Sequence, residues 1–169
     1  VINAGSSEMN LPFVGLVDFG LLFPLLLVPL GVIFATNVFN MLAGYNGLEA
    51  GMGVIILSTL AFVIFRAGAF WVSVLALTVA VSLLAFLVFN KYPAKIFPGD
   101  TFTYSVGAFI AAIAIIGNAE TAALILALPY FAEFFLKARG RFKKESFAKL
   151  QKDGSLDMPY TQIYSLTHE

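Results

Sequence analysis

Cysteine is absent from this 169-residue chain, and charge is scarce. Without cysteine there is no disulfide and no thiolate metal site, and the redox compartment leaves no mark. Ten Lys and Arg balance ten Asp and Glu, so the net charge is zero. A neutral chain exerts no long-range pull on nucleic acid, and no nucleic-acid partner is expected. Charged residues make up 12% of the chain, about half of what a soluble domain carries. The single histidine, His168, receives no role from the sequence. Apolar residues fill the space instead: 60% of the chain is hydrophobic, with 18 Phe. That balance describes an all-α, polytopic integral membrane protein.

Five apolar runs are long enough to cross a hydrocarbon core of about 30 Å. They are residues 19–42, 48–65, 70–89, 102–117 and 119–136. The fourth is short and rich in Ala, which favours close helix packing. Pro24 and Pro29 are expected to kink the first run and Pro129 the fifth, because proline cannot donate the next helical hydrogen bond. The chain starts at Val1 with nothing like a signal peptide, so it reads as an internal fragment of a larger helical bundle.

Five crossings place the 44–47 turn, the 90–100 loop and the tail after Leu136 on one side of the membrane. Residues 1–18 and the turns at 66–69 and 117–120 fall on the other. Of ten Lys and Arg, only Arg66 lies on that second side. Lys91 and Lys95 are in the 90–100 loop, and the rest are in the tail. The positive-inside rule therefore makes the first side cytoplasmic. Residues 1–18 read as an exterior loop, 19–136 as a five-span membrane region and 137–169 as a cytoplasmic basic loop. Within the tail, segments 147–150 and 156–160 flank Asp153-Gly154 and suggest a small hairpin.

Three polar clusters interrupt the apolar sequence, and all fall on the cytoplasmic side. They are 37–49 (NVFNMLAGYNGLE), 90–103 (NKYPAKIFPGDTFT) and 137–144 (KARGRFKK). Each has a structural reading and a chemical one. Asn37 and Asn40 share a helix face, where amides join helices or end them. An amide oxygen is also a ligand for a hard cation such as Mg²⁺. Asn46 and Glu49 have the spacing of a capping box for the second span. An Asn amide also offers the donor and acceptor that suit the imide edge of uracil. Asp100 is placed to cap the fourth span. After Pro98-Gly99 it is also presented to a loop-level cavity, where one carboxylate can join a Mg²⁺ shell. Phe97 faces lipid or stacks on a base. Arg139 and Arg141, flanking Gly140, either anchor the chain to anionic lipid or pair on a pyrophosphate.

Taken together, the segments 37–51 and 90–102 resemble the two signatures of the polyprenyl-phosphate N-acetylhexosamine-1-phosphate transferases. The tail pattern from Asp153 to Tyr160 is similar too. Bacterial cell-wall members tend to carry Asp where this chain has Ala43 and Asn46, so the form here is nearer the dolichol-pathway branch of eukaryotes and archaea. The resemblance implies UDP-N-acetylglucosamine as donor, dolichyl or another polyprenyl phosphate as acceptor, and UMP as leaving group. It implies Mg²⁺ as cofactor, with Mn²⁺ as a substitute, in a setting of membrane lipids; a homodimer is left open. The membrane would be the plasma membrane of a prokaryote or the endoplasmic reticulum of a eukaryote.

Residue by residue, Asn40 and Asp100 match the family's metal ligands and hence its catalytic groups. Gly44 and Asn46 match the uracil-binding positions, and Phe97 the ring that packs on the base. Arg139 and Arg141 match the residues that hold the pyrophosphate and sugar. Eukaryotic members tend to carry His where this chain has Gly140. The Asp-Asp motif and phosphate-binding lysine that the resemblance also implies do not occur in this sequence, so the fragment alone is expected to be inactive. Two alternatives stay open. One is a relative using another UDP-sugar or undecaprenyl phosphate. The other is a transporter fragment, against which no span carries an ionisable residue near its middle.

Overall fold

The computed structural model describes residues 7–11, 14–158 and 160–168, most of them helical. Strands β1 (Glu8–Leu11) and β2 (Gly15–Asp18) form an antiparallel pair, Glu8 opposite Asp18 and Leu11 opposite Gly15. They lie within the segment read as an exterior loop; residues 1–6, 12 and 13 of that segment lie outside the described residues. Asp18 closes the pair, and its carboxylate accepts the Gly20 N–H at 2.9 Å. The Ser7 hydroxyl and the Gly20 N–H hold that carboxylate below its ordinary range.

A π turn at Phe23–Leu27 runs into α1 (Val28–Met41), making one apolar helix from Phe23 to Met41. Pro24 and Pro29 sit in first turns, where a missing N–H is tolerated, and the irregularity they bring is the π turn. Helices α2 (Leu48–Arg66) and α3 (Phe70–Asn90) are also long and apolar enough to cross a membrane. Helix α4 (Asp100–Ile116) is apolar but has 17 residues, about 25 Å of rise. Helices α5 (Glu120–Leu126) and α6 (Leu128–Arg139) meet at a 54° bend, the geometry of a broken span or of a re-entrant loop. The break falls at the turn before Pro129, as proline's missing donor requires. Helices thus occupy all five apolar runs. Three are long and apolar enough to span, and the bent pair, taken as one span, would make a fourth.

The bundle is built from two close pairs, α2 against α3 and α1 against α4. Leu57, Leu60 and Ile64 of α2 meet Val72 and Ala76 of α3, all fully buried. The buried Ser73 hydroxyl donates to Ala61 O at 2.8 Å across that pair. Helix α6 joins α1 through stacked rings, Phe34 on Phe131 at 4.9 Å and Phe39 on Tyr130 at 5.6 Å. Phe62, Val81 and Val88 instead face outward, the arrangement lipid favours. In the tail, β3 (Lys149–Leu150) pairs with β4 (Leu156–Asp157). The hairpin expected at Asp153-Gly154 is therefore present, and Asp153 accepts both the N–H and the hydroxyl of Ser155.

Candidate functional site

The C-terminal ends of α1, α3 and α6 meet the N-terminal ends of α2 and α4 at one end of the bundle. The expected capping box at Asn46 and Glu49 does not form. Gly47 is the N-cap of α2, in the left-handed conformation (φ 86°) that glycine adopts without steric cost. That turn leaves Asn46 exposed outside the helix and carries Glu49 onto a buried face. The Gly47 N–H goes instead to Asn90 Oδ1 at 3.0 Å, and Asn90 Nδ2 donates to Ile96 O at 2.9 Å. Asn90 is fully buried and ties the first polar cluster to the second. Asn90→Ala would leave both partners without this amide. It is expected to cost about 1–3 kcal/mol, read as a lower thermal midpoint in detergent.

Asn40 and Asp100 are brought together. Asn40 Oδ1 accepts the hydroxyl of buried Thr103 at 2.6 Å, which pins α1 to α4 as a helix-joining amide does. Asn37 turns away and donates to Ile33 O of its own helix at 2.7 Å. Asp100 is not the cap of α4. Extended Gly99 takes that position, and Asp100 becomes the first helical residue. Its carboxylate is exposed at the positive end of the helix dipole. It has no hydrogen bond or ion pair with any described residue.

Both side chains line a cavity of about 480 Å³ with Lys137, Lys144 and Ser146. All three polar clusters therefore contribute to one wall. The cations facing it are Lys137 and Lys144; Arg139 and Arg141 stand outside the lining. Arg139 donates to Gln162 Oε1 at 2.9 Å and lies over the Tyr164 ring. Arg141 is exposed, with a left-handed backbone (φ 53°). Gly44, Asn46 and Phe97 also lie outside the lining, and Phe97 is 71% exposed.

The donor set suits a hard cation that keeps water and phosphate oxygens in its shell. Asp100 offers a carboxylate with no internal partner, and Asn40 an amide oxygen with one lone pair still unused. Among the described residues no group of three or more His, Cys, Asp or Glu could enclose a metal by itself. Asn40 and Asp100 would thus supply two of the oxygens that a Mg²⁺ shell needs, the remainder having to come from outside these side chains.

The sequence model for glycosyl transferase family 4 matches residues 1–118. This chain belongs to that family. It is 45% identical over 170 residues to a protein of Saccharolobus solfataricus provisionally named UDP-N-acetylglucosamine–dolichyl-phosphate N-acetylglucosaminephosphotransferase, covering 99% of this chain and 52% of that one. It is 42% identical over 168 residues to a protein of the same provisional name from Sulfolobus acidocaldarius, covering 98% and 51%. A phospho-N-acetylmuramoyl-pentapeptide-transferase of Halalkalibacterium halodurans is 38% identical over 123 residues, covering 72% of this chain and 37% of its own. The chain spans about half the length of the first two.

Within this family member, Asn90, Thr103, Glu133, Lys137, Lys144 and His168 hold parts of the structure to which the sequence assigned no individual role. Asn90 and Thr103 lie inside the polar clusters, so polarity at a span end was their signal. Glu133 is a carboxylate four residues before Lys137 on α6, and that i, i+4 spacing was its signal. Nothing local marks His168.

Proposed function

We propose that this chain carries part of the active site of a membrane transferase acting on UDP-N-acetylglucosamine. The enzyme moves N-acetylglucosamine 1-phosphate to dolichyl or another polyprenyl phosphate and releases UMP. The observation that carries the reading is the meeting of Asn40 and Asp100, from separate signatures, on one polar cavity at the bundle's end. The names of the two archaeal relatives support the choice of donor and acceptor.

In this reading an oxygen of the lipid phosphate attacks the sugar-linked phosphorus, and the bond to UMP breaks. Two multiply charged reactants repel each other, so the site must neutralise charge while holding an in-line geometry. Asn40 and Asp100 would hold Mg²⁺, which when bound neutralises phosphate charge. Lys144, whose ammonium lies 4.5 Å over the Tyr160 ring, adds positive charge at the same wall, where the charge of Lys137 is balanced by Glu133. Arg139 and Arg141 bind the pyrophosphate and sugar, Gly44 and Asn46 the uracil, and Phe97 packs on the base. The site faces the cytoplasm, because the basic tail and the water-soluble donor belong there. A second cavity of about 440 Å³ is almost wholly apolar, with Phe23, Phe34, Ile110, Leu124 and Phe131 in its wall. It suits the isoprenoid tail.

The test is UMP release by the intact protein in detergent with Mg²⁺, dolichyl phosphate and a panel of UDP-sugars. Release with UDP-N-acetylglucosamine in preference to the others is expected. Preference for another UDP-sugar, or for undecaprenyl phosphate, would move the chain to another branch of the family. Substrate flux in vesicles without UMP release would overturn the enzyme reading.

A further inference from the structure

A buried carboxylate outside the cavity holds the tail against the bundle. Glu133 on α6 is fully buried. Its Oε1 accepts the Ser165 hydroxyl and its Oε2 the Leu166 N–H, each at 2.7 Å. Lys137, one turn on, stands 3.8 Å away and balances the charge. The short turn at Leu166–His168 carries the connection outward. The Thr167 hydroxyl donates to Ser146 O at 2.9 Å. The Tyr45 hydroxyl donates to Thr167 O at 3.0 Å. Gly44 lies so close that an added Cβ would meet Thr167 Oγ1 at 3.3 Å. His168 locks the segment from the other side. Its Nδ1 faces the Tyr164 N–H at 3.2 Å and its Nε2 faces Glu145 O at 2.9 Å. A backbone N–H only donates and a carbonyl only accepts, so the neutral Nε2–H tautomer satisfies both.

We infer that residues 165–168 are the platform on which the 44–46 turn rests, and that Glu133, Thr167 and Tyr45 are positioning residues for the nucleotide half of the donor. The inference rests on reading Gly44 and Asn46 as nucleotide-binding. Two hydrogen bonds tie that turn to distant parts of the chain: Gly47 to Asn90 at one end and Tyr45 to Thr167 at the other. The first is anchored in α3. The second is anchored, through Thr167 and Ser165, on Glu133. Loosening the second end frees the Asn46 amide to wander while leaving Asn40, Asp100 and Thr103 joined. Donor binding should suffer and acceptor binding should not.

The experiment measures the Kd for UDP and the KM for the lipid phosphate in the intact protein, for Tyr45→Phe, Thr167→Val and Asn46→Ala. Tyr45→Phe removes one hydroxyl from a half-exposed side chain, and the fold tolerates that change. It is expected to weaken UDP about fivefold, the worth of one neutral hydrogen bond, with the lipid KM unchanged. Thr167→Val is expected to act in the same direction, and the double variant to lose less than the product of the two. Asn46→Ala tests the underlying reading. If it weakens UDP while Tyr45→Phe does not, the platform is refuted and the nucleotide reading stands. If Asn46→Ala leaves UDP binding unchanged, both fall. Equal losses for UDP and lipid in Tyr45→Phe would mark a general structural role and also refute the platform.

Discussion

Asp100→Asn in the intact protein is expected to lower UMP release by about 10²- to 10³-fold, with membrane insertion unchanged. The substitution keeps the size and shape of the side chain and removes its charge. The fold should barely register it, because the carboxylate bonds to no described residue and is exposed at the start of α4. The helix dipole favours an acid there by only about 0.3–1 kcal/mol. Function should register it strongly. Asp100 and Glu145 are the two carboxylate residues among the described residues lining the cavity, and Asp100 shares that lining with Asn40, Lys137 and Lys144. Thermal midpoint and Mg²⁺ titration measured together separate the causes. A stable variant whose residual activity rises with added Mg²⁺ has lost affinity for the ion. Undiminished Mg²⁺-dependent UMP release would refute the metal role.

Hydropathy located every helix of the bundle, and the alternation of sides put the three polar clusters at one end. Those features depend only on the length and spacing of apolar runs. What stayed hidden depends on the direction a side chain leaves its helix. Lys137 and Arg139 are two residues apart, so they cannot share a helix face. The structure turns Lys137 toward the cavity and Arg139 toward Gln162. Lys144 reaches the same wall because the chain reverses through left-handed Arg141 and Phe142, a conformation no local signal announces. The capping box failed for a related reason. Asn46 and Glu49 have its spacing, but the intervening Gly47 starts the helix one residue later. Gly47 and Ser165, which bond to Asn90 and Glu133, lie 43 and 32 residues from them in the chain, beyond the reach of any periodic pattern.

Gly107→Ala is the substitution expected to damage fold and site together. Gly107 lies one turn beyond Thr103 on α4, so the two share the face packed on α1. A Cβ added there would fall 2.6 Å from Ala35 O and 2.9 Å from Thr36 Cα, both backbone atoms of α1. Backbone cannot swing aside as a side-chain tip can, so α1 and α4 must separate. Overpacking of this kind costs about 1–3 kcal/mol. The separation also acts one turn away, where the Thr103 hydroxyl holds Asn40 at 2.6 Å and Asp100 begins the helix. Misplacing a reacting group by about 1 Å can cost about 100-fold in rate. The expected result is a lowered thermal midpoint and a fall in kcat of about that size. Thr103→Val separates the two effects, since it removes the hydroxyl and keeps the bulk. It should lower kcat through the loose Asn40 amide, with a smaller change in midpoint than Gly107→Ala. A Gly107→Ala protein with wild-type midpoint and kcat would mean that the two helices have slack at their crossing, and that the distance between Asn40 and Asp100 is set elsewhere.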